Sequence, residues 1–162
     1  MRTVFNLLLL ATALSCQAEQ ISGTVVRVAD GDSLTIQDLG KVTHSVRLAG
    51  IDAPEMAQAF GRASRDSLAT LVAGKPVTVQ TYKKDRYGRL VGKVMLDGID
   101  VNLEQVRTGM AWFYREFSHE QTVADQQRYD QAERQAVDRR RGLWALEDPI
   151  APWEFRMRHT HR

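Results

Sequence analysis

The alternation of side chains between Ile21 and Leu48 constrains this chain more than any other stretch. Ile21 to Ala29 carries the β-branched Val25, Val26 and Val28 and stops at Asp30-Gly31-Asp32. Ser33 to Gln37 resumes the extended pattern, Asp38-Leu39-Gly40-Lys41 turns the chain, and Val42 to Leu48 brings it back. Strand-forming runs bounded by Asp and Gly turns read as three short strands in succession, a meander. The two-residue period puts Val42, His44, Val46 and Leu48 on one face of the third strand and Thr43, Ser45 and Arg47 on the other. Arg47 therefore projects from a rigid strand beside the turn that follows.

Beyond Gly50-Pro54 the spacing of Phe60, Ala63, Leu68, Leu71 and Val72 predicts a helix that starts at or just after Glu55, is weakened at Gly61 and is ended by Gly74 and Pro76. Pro76 to Tyr82 and Arg89 to Leu96 read as a fourth and a fifth strand, joined by the basic loop Lys83-Lys84-Asp85-Arg86-Tyr87-Gly88. After the Asp97-Gly98 turn, Val101 to Arg107 predicts a short helix stopped by Gly109. Ser118-His119-Glu120-Gln121 has the spacing of a capping box, so a long polar helix is expected from there to about Arg141, with Asp130 and Arg134 one turn apart. Leu143, Trp144 and Trp153 are expected to anchor the tail, while His159 and His161 fall in a frayed end. Five strands with one helix after the third and two after the fifth predict an α+β fold on a small five-stranded barrel with three helices, a frame whose face and loops can take up oligonucleotides.

At 162 residues the chain suits one domain, and Met1-Arg2-Thr3 followed by a short apolar run ending in small residues has the layout of an export signal. Residues 1–18 are read as that signal and residues 19–162 as one domain, periplasmic or secreted and monomeric. Cleavage after Ala18 removes Cys16, the only cysteine, whereas lipid attachment at Cys16 is disfavoured by Ala13-Leu14-Ser15 before it. A formal charge of +2 is too small for the whole surface to attract nucleic acid, so any such binding needs a local patch. Lys83 to Arg89 supplies one: charges flanking Tyr87 suit stacking on single-stranded bases without sequence preference.

Taken singly, Asp30 and Asp32 read as turn residues, Asp52 as a helix cap, Glu55 as a favourable acid at a helix start, and Arg47 and Arg89 as surface charges. Together the aspartates offer hard oxygen ligands suited to calcium or magnesium and unsuited to zinc. Glu55 could accept a proton from an attacking water, and the two arginines could grip a phosphate through paired hydrogen bonds. A barrel that only binds nucleic acid would need the basic loop but not this acidic set.

Asp30-Gly31-Asp32-Ser33, Arg47-Leu48-Ala49-Gly50-Ile51-Asp52-Ala53-Pro54-Glu55, Asp85-Arg86-Tyr87-Gly88-Arg89, Val101-Asn102 and Gly109-Met110-Ala111 resemble, in that order, the staphylococcal nuclease family. The likeness runs from about Ile21 to Trp153. It implies an OB-fold barrel and calcium-dependent hydrolysis of DNA and RNA to products with a 3′-phosphate. It further implies one Ca2+ ion on Asp32, Asp52 and the Ala53 carbonyl, Glu55 as general base or water-orienting group, Arg47 and Arg89 on the scissile phosphate, and Tyr87 near the nucleotide, with Lys84 and Arg86 beside it. Ser33 and Ala53 stand where the best-known member has threonines. Trp112 and Phe113 are read as core rather than as stacking platforms.

Overall fold

Alternating β-branched residues carry the chain down β1 (Glu19–Val28), back along β2 (Ser33–Gln37) and down again along β3 (Thr43–Leu48), each antiparallel to the last. The computed structural model describes residues 19–160; the export signal expected over residues 1–18, Cys16 within it, and His161 lie outside them. A two-residue strand β4 (Ile51–Asp52) leads into α1 (Gly61–Val72), then β5 (Pro76–Lys84), β6 (Leu90–Leu96) and the short β7 (Ile99–Asp100). The helix α2 (Val101–Arg107), the strand β8 (Trp112–Phe113), a 3-10 turn at Arg115–Glu120, α3 (Val123–Asp138), a second 3-10 turn at Gly142–Ala145 and α4 (Pro152–Thr160) follow among the described residues.

β1 pairs with both β2 and β5, β5 pairs with β6, and β6 lies parallel to β3, with Val46 opposite Leu90 and Arg47 opposite Val91. That last pairing closes a five-stranded barrel, the OB-fold expected from the sequence. Bulges between Val25 and Arg27 and between Thr81 and Lys83 give β1 and β5 the extra bend that closure requires. Val25, Ile36, Val46, Leu48, Val79 and Val94 form one buried cluster with Leu68 and Val72 of α1, Val101 and Val106 of α2, and Tyr129 of α3.

Three local expectations are corrected. The helix after the Asp52 turn starts at Gly61, so Glu55 stands in an irregular loop and not at a helix N-terminus. Residues 55–61 instead make turns in which Gln58 N–H donates to the Glu55 carbonyl and Gly61 N–H to the Gln58 carbonyl. Gly61 is required here: a Cβ would collide with the Glu55 carbonyl oxygen. The long helix is capped one turn later than Ser118, by Thr122, whose hydroxyl accepts from Asp125 N–H at 3.1 Å. It ends at Asp138 because Arg140 and Gly142 take positive φ. Asp130 and Arg134 do pair, at 2.8 Å. Finally, the tail is a fourth helix containing His159, not a frayed end. Among the described residues no helix is long and apolar enough to cross a membrane.

Barrel closure is tied to α2 by one buried side chain. Asn102 accepts from Val94 N–H at 3.0 Å and donates to the carbonyls of Ala49 at 3.0 Å and Gly92 at 3.1 Å. The Gly92 carbonyl also takes Ala49 N–H at 2.8 Å, so loss of Asn102 would orphan the Val94 amide and the Ala49 carbonyl. Asn102→Ala is therefore expected to lower unfolding free energy by about 3 kcal/mol, from two unsatisfied buried groups. Urea unfolding measures this, and a loss below about 1 kcal/mol would count against the assigned role.

Candidate active site

The Asp30-Gly31-Asp32 turn is held from three sides. Asp32 N–H donates to Asp30 Oδ1 at 3.0 Å, a local turn bond. The Gly31 carbonyl accepts Gln105 Nε2 at 2.8 Å, and the same amide group donates to the Ser64 carbonyl at 3.1 Å, so α2 and α1 both fix the turn. A side chain at Gly31 would collide with Ser64 and crowd Ala53, and the small Ala53 lets the two turns touch. Asp32, buried, accepts Ala53 N–H on Oδ2 at 2.6 Å and Ser33 Oγ on Oδ1 at 3.1 Å.

Asp52 is only 1% exposed, at the end of β4 where it lies opposite Trp112 of β8. A buried carboxylate needs cationic partners. Arg47 provides the first: its guanidinium bridges Asp32 Oδ1 and Asp52 Oδ1, the latter at 2.7 Å. Arg156 of α4 provides the second, with Nη2 2.8 Å from Asp52 Oδ2 and Nη1 2.8 Å from Glu55 Oε1. Burial works to lower the Arg156 pKa, but hydrogen bonds to Asp52 and Glu55 outweigh it and raise the value above the ordinary arginine range. Glu55 N–H is held by Gln58 Oε1 at 3.0 Å, and Gln58 Nε2 donates to the Ile150 carbonyl at 2.6 Å, tying this loop to the tail.

The basic loop is built around Asp85. Its Oδ1 accepts Tyr87 N–H at 2.9 Å and Arg89 N–H at 3.0 Å, while Oδ2 takes Arg89 Nε at 2.7 Å. Tyr87 is exposed, with the Arg86 guanidinium 4.8 Å and the Arg89 guanidinium 5.6 Å from its ring centroid. A neighbouring hollow is lined by Arg47, Lys83, Arg89, Tyr114 and Phe117.

Every catalytic, metal or substrate-binding residue expected from the sequence, except Lys84, lines one cleft: Asp32, Arg47, Asp52, Ala53, Glu55, Arg86, Tyr87 and Arg89. Lys84 ends β5, exposed, and lines neither the cleft nor the hollow, whereas Lys83 pairs with Glu120 beside Phe117. Phe113 is buried against Tyr129, as expected, but Trp112 is half-buried in contact with Trp144 and Trp153. The carboxylates and the Ala53 carbonyl are hard oxygen donors that suit a divalent cation by chemistry. Among the described residues, however, no three acidic or imidazole groups are arranged around a common point, because Asp52 is turned to two guanidiniums and Asp32 to the Ala53 amide. Arg156 was not legible in the sequence: Trp153 marks the tail as an anchor, but nothing in the local pattern separates Arg156 from Arg158.

Fold and cleft together define an OB-fold α+β protein in which buried carboxylates face a set of guanidiniums at the barrel rim. Residues 45–146 match the family described as staphylococcal nuclease homologue, more than half of the chain. A protein of Escherichia coli O157:H7 named as an uncharacterized endonuclease is 40% identical over 159 residues, spanning 98% of this chain and 99% of that one. Its counterpart by name in Haemophilus influenzae is 42% identical over 152 residues, 93% of this chain and 82% of its own. The micrococcal nuclease of Shigella flexneri is 38% identical over 143 residues, 83% and 79% of the two chains. The chain belongs to the staphylococcal nuclease homologue family.

Asp85 offers a direct measurement on the loop. Burial works to raise its pKa, yet hydrogen bonds from Arg89 and the Tyr87 amide hold it below the ordinary carboxylate value of 3.8. Since folding lowers this pKa, the loop's stabilisation is present above that value and is lost as pH falls through the native pKa. An NMR titration should place Asp85 below 3.8 in the native protein and nearer 3.8 in Arg89→Ala. An unchanged value in the variant would show that Arg89 does not anchor the loop.

Proposed function

We propose that this protein is an exported, calcium-dependent nuclease that hydrolyses the phosphodiester bonds of DNA and RNA and leaves a 3′-phosphate, acting as a monomer and favouring single-stranded or frayed substrate. The observation that carries the reading is the meeting of Asp32, Arg47, Asp52, Glu55 and Arg89, drawn from separate segments, in one cleft. The endonuclease and nuclease names of the relatives support it.

Asp32, Asp52 and the Ala53 carbonyl would hold the cation, which when bound supplies positive charge as a Lewis acid beside the phosphoryl oxygens. Glu55, partly exposed at the cleft, takes the proton from the attacking water. The new bond forms from that water oxygen to phosphorus and the bond to the 5′-oxygen breaks; the 5′-oxygen leaves as a hydroxyl after taking a proton from solvent. Negative charge grows on the phosphoryl oxygens during this step. Arg47, braced by two aspartates, and Arg89, braced by Asp85, stabilise that charge more in the transition state than in the ground state. Arg86 and Tyr87 take up the neighbouring nucleotide, the ring by stacking and the guanidinium by charge.

Purified protein incubated with single- and double-stranded DNA and RNA, in calcium, magnesium or chelator, tests the reading. Cleavage in calcium that chelator abolishes is expected, and Glu55→Gln and Arg89→Ala should each lower turnover about a hundredfold or more. Binding without cleavage in every metal condition would leave only a nucleic-acid-binding barrel. For export, the N-terminal residue of the protein recovered outside the cytoplasm should be Glu19.

A further inference from the structure

The tail helix brings into the cleft a charge that the scheme above does not use. Trp153 lies flat on Tyr114, with ring centroids 5.1 Å apart and planes 3° from parallel, and meets the edge of Trp112 at 5.6 Å. This fixes the start of α4, and Arg156, three residues on and hence on nearly the same helix face, is delivered to the carboxylates. Its Nη2 reaches Asp52 Oδ2 at 2.8 Å, and its Nη1 reaches Glu55 Oε1 at 2.8 Å and Asp52 Oδ1 at 3.3 Å.

Both oxygens of Asp52 are thereby engaged by protein donors, since Arg47 also holds Oδ1. Lone pairs committed to a guanidinium are not available at full strength to a metal ion. A cation that uses Asp52 therefore shares or contests that carboxylate with two guanidiniums whose positive charge opposes its own. Arg47 is the more enclosed of the two, its side chain 18% exposed and braced by Asp32, whereas Arg156 is 42% exposed on a terminal helix. Arg156 is the less enclosed of the two and so the better placed to give way. It also lies beyond residues 45–146, the span the family match covers.

We propose that Arg156 is a resident counter-cation of the site: it orients Asp52 and Glu55 while no divalent cation is bound and sets cation affinity by competing for Asp52. This rests on the reading of Asp52 as a cation ligand. Removing the guanidinium leaves buried Asp52 less neutralised in the cation-free protein, so the incoming ion gains what Arg156 had supplied. The sign is diagnostic, because a merely structural loss would loosen the site and weaken binding.

Calorimetric titration of calcium into the full protein, Arg156→Ala, Arg156→Gln and Arg158→Ala tests this. Arg158 pairs with Glu154 on the same helix, so its removal changes net charge equally without touching Asp52. Calcium is expected to bind Arg156→Ala and Arg156→Gln about tenfold more tightly than the parent, a difference of about 1.4 kcal/mol, with Arg158→Ala within about twofold. Equal or weaker binding in both Arg156 variants, or the same gain in Arg158→Ala, would overturn the competition while leaving the cation site intact. Absence of calcium binding in every form would overturn both the cation site and the role of Arg156.

Discussion

The parallel pairing of β3 with β6 is the constraint on which the rest depends. It closes the barrel, and because Arg47 pairs with Val91 it also brings the end of β3 beside the start of β6, where Arg89 emerges from its loop. Residues far apart in the chain thus share one rim. A parallel contact between neighbouring strands needs a long connection. Here α1 and β5 lie between β3 and β6, and the chain passes the rim with the Asp52 turn on its way. Asn102 then stitches the closed seam to α2 by saturating backbone groups on both strands' continuations.

At that rim the chemistry is one of opposed charges in a partly buried setting. Asp32 and Asp52 are nearly inaccessible, and a carboxylate in that position is tolerated only with strong partners. Arg47 serves both, Ala53 N–H serves Asp32, and Arg156 serves Asp52 and Glu55. Asp85 plays the reciprocal part for Arg89, holding a cation in place with a depressed acid. The overall charge of +2 conveys none of this, since at the rim acids and bases are matched locally and Arg86 and Arg89 flank Tyr87.

The supporting layer explains why small residues stand at two positions. Gly31 and Ala53 let the two acidic turns come into contact, and the amide of Gln105 then locks the Gly31 carbonyl. In this chain the alanine at 53 is a packing partner of Gly31 as well as a link to Asp32 through its own N–H. Trp112, Trp144 and Trp153 do comparable work for the tail: their edge contacts, with the Tyr114 stack, convert a short terminal segment into a docked helix.

The order of strands and most of the cleft were legible in the sequence, because β-branched alternation and Asp/Gly turns are local signals and the motif order matched a known family. Local signals misled where a neighbouring turn prevailed. Glu55 looked like a helix start, but the close turn that Gly61 permits postpones the helix; Ser118 matched a capping box, yet the chain is held in a 3-10 turn until Thr122 can cap α3. Lys84 could not be told from Lys83 by composition, and only the bulge in β5 decides which lysine faces the hollow. Sequence by itself determined that acids and arginines stand at strand ends beside turns, since periodicity and turn chemistry act between near neighbours. Tertiary structure alone decided that Asp52 meets Arg156, 104 residues away, because that contact exists only once the tail helix has docked on the barrel.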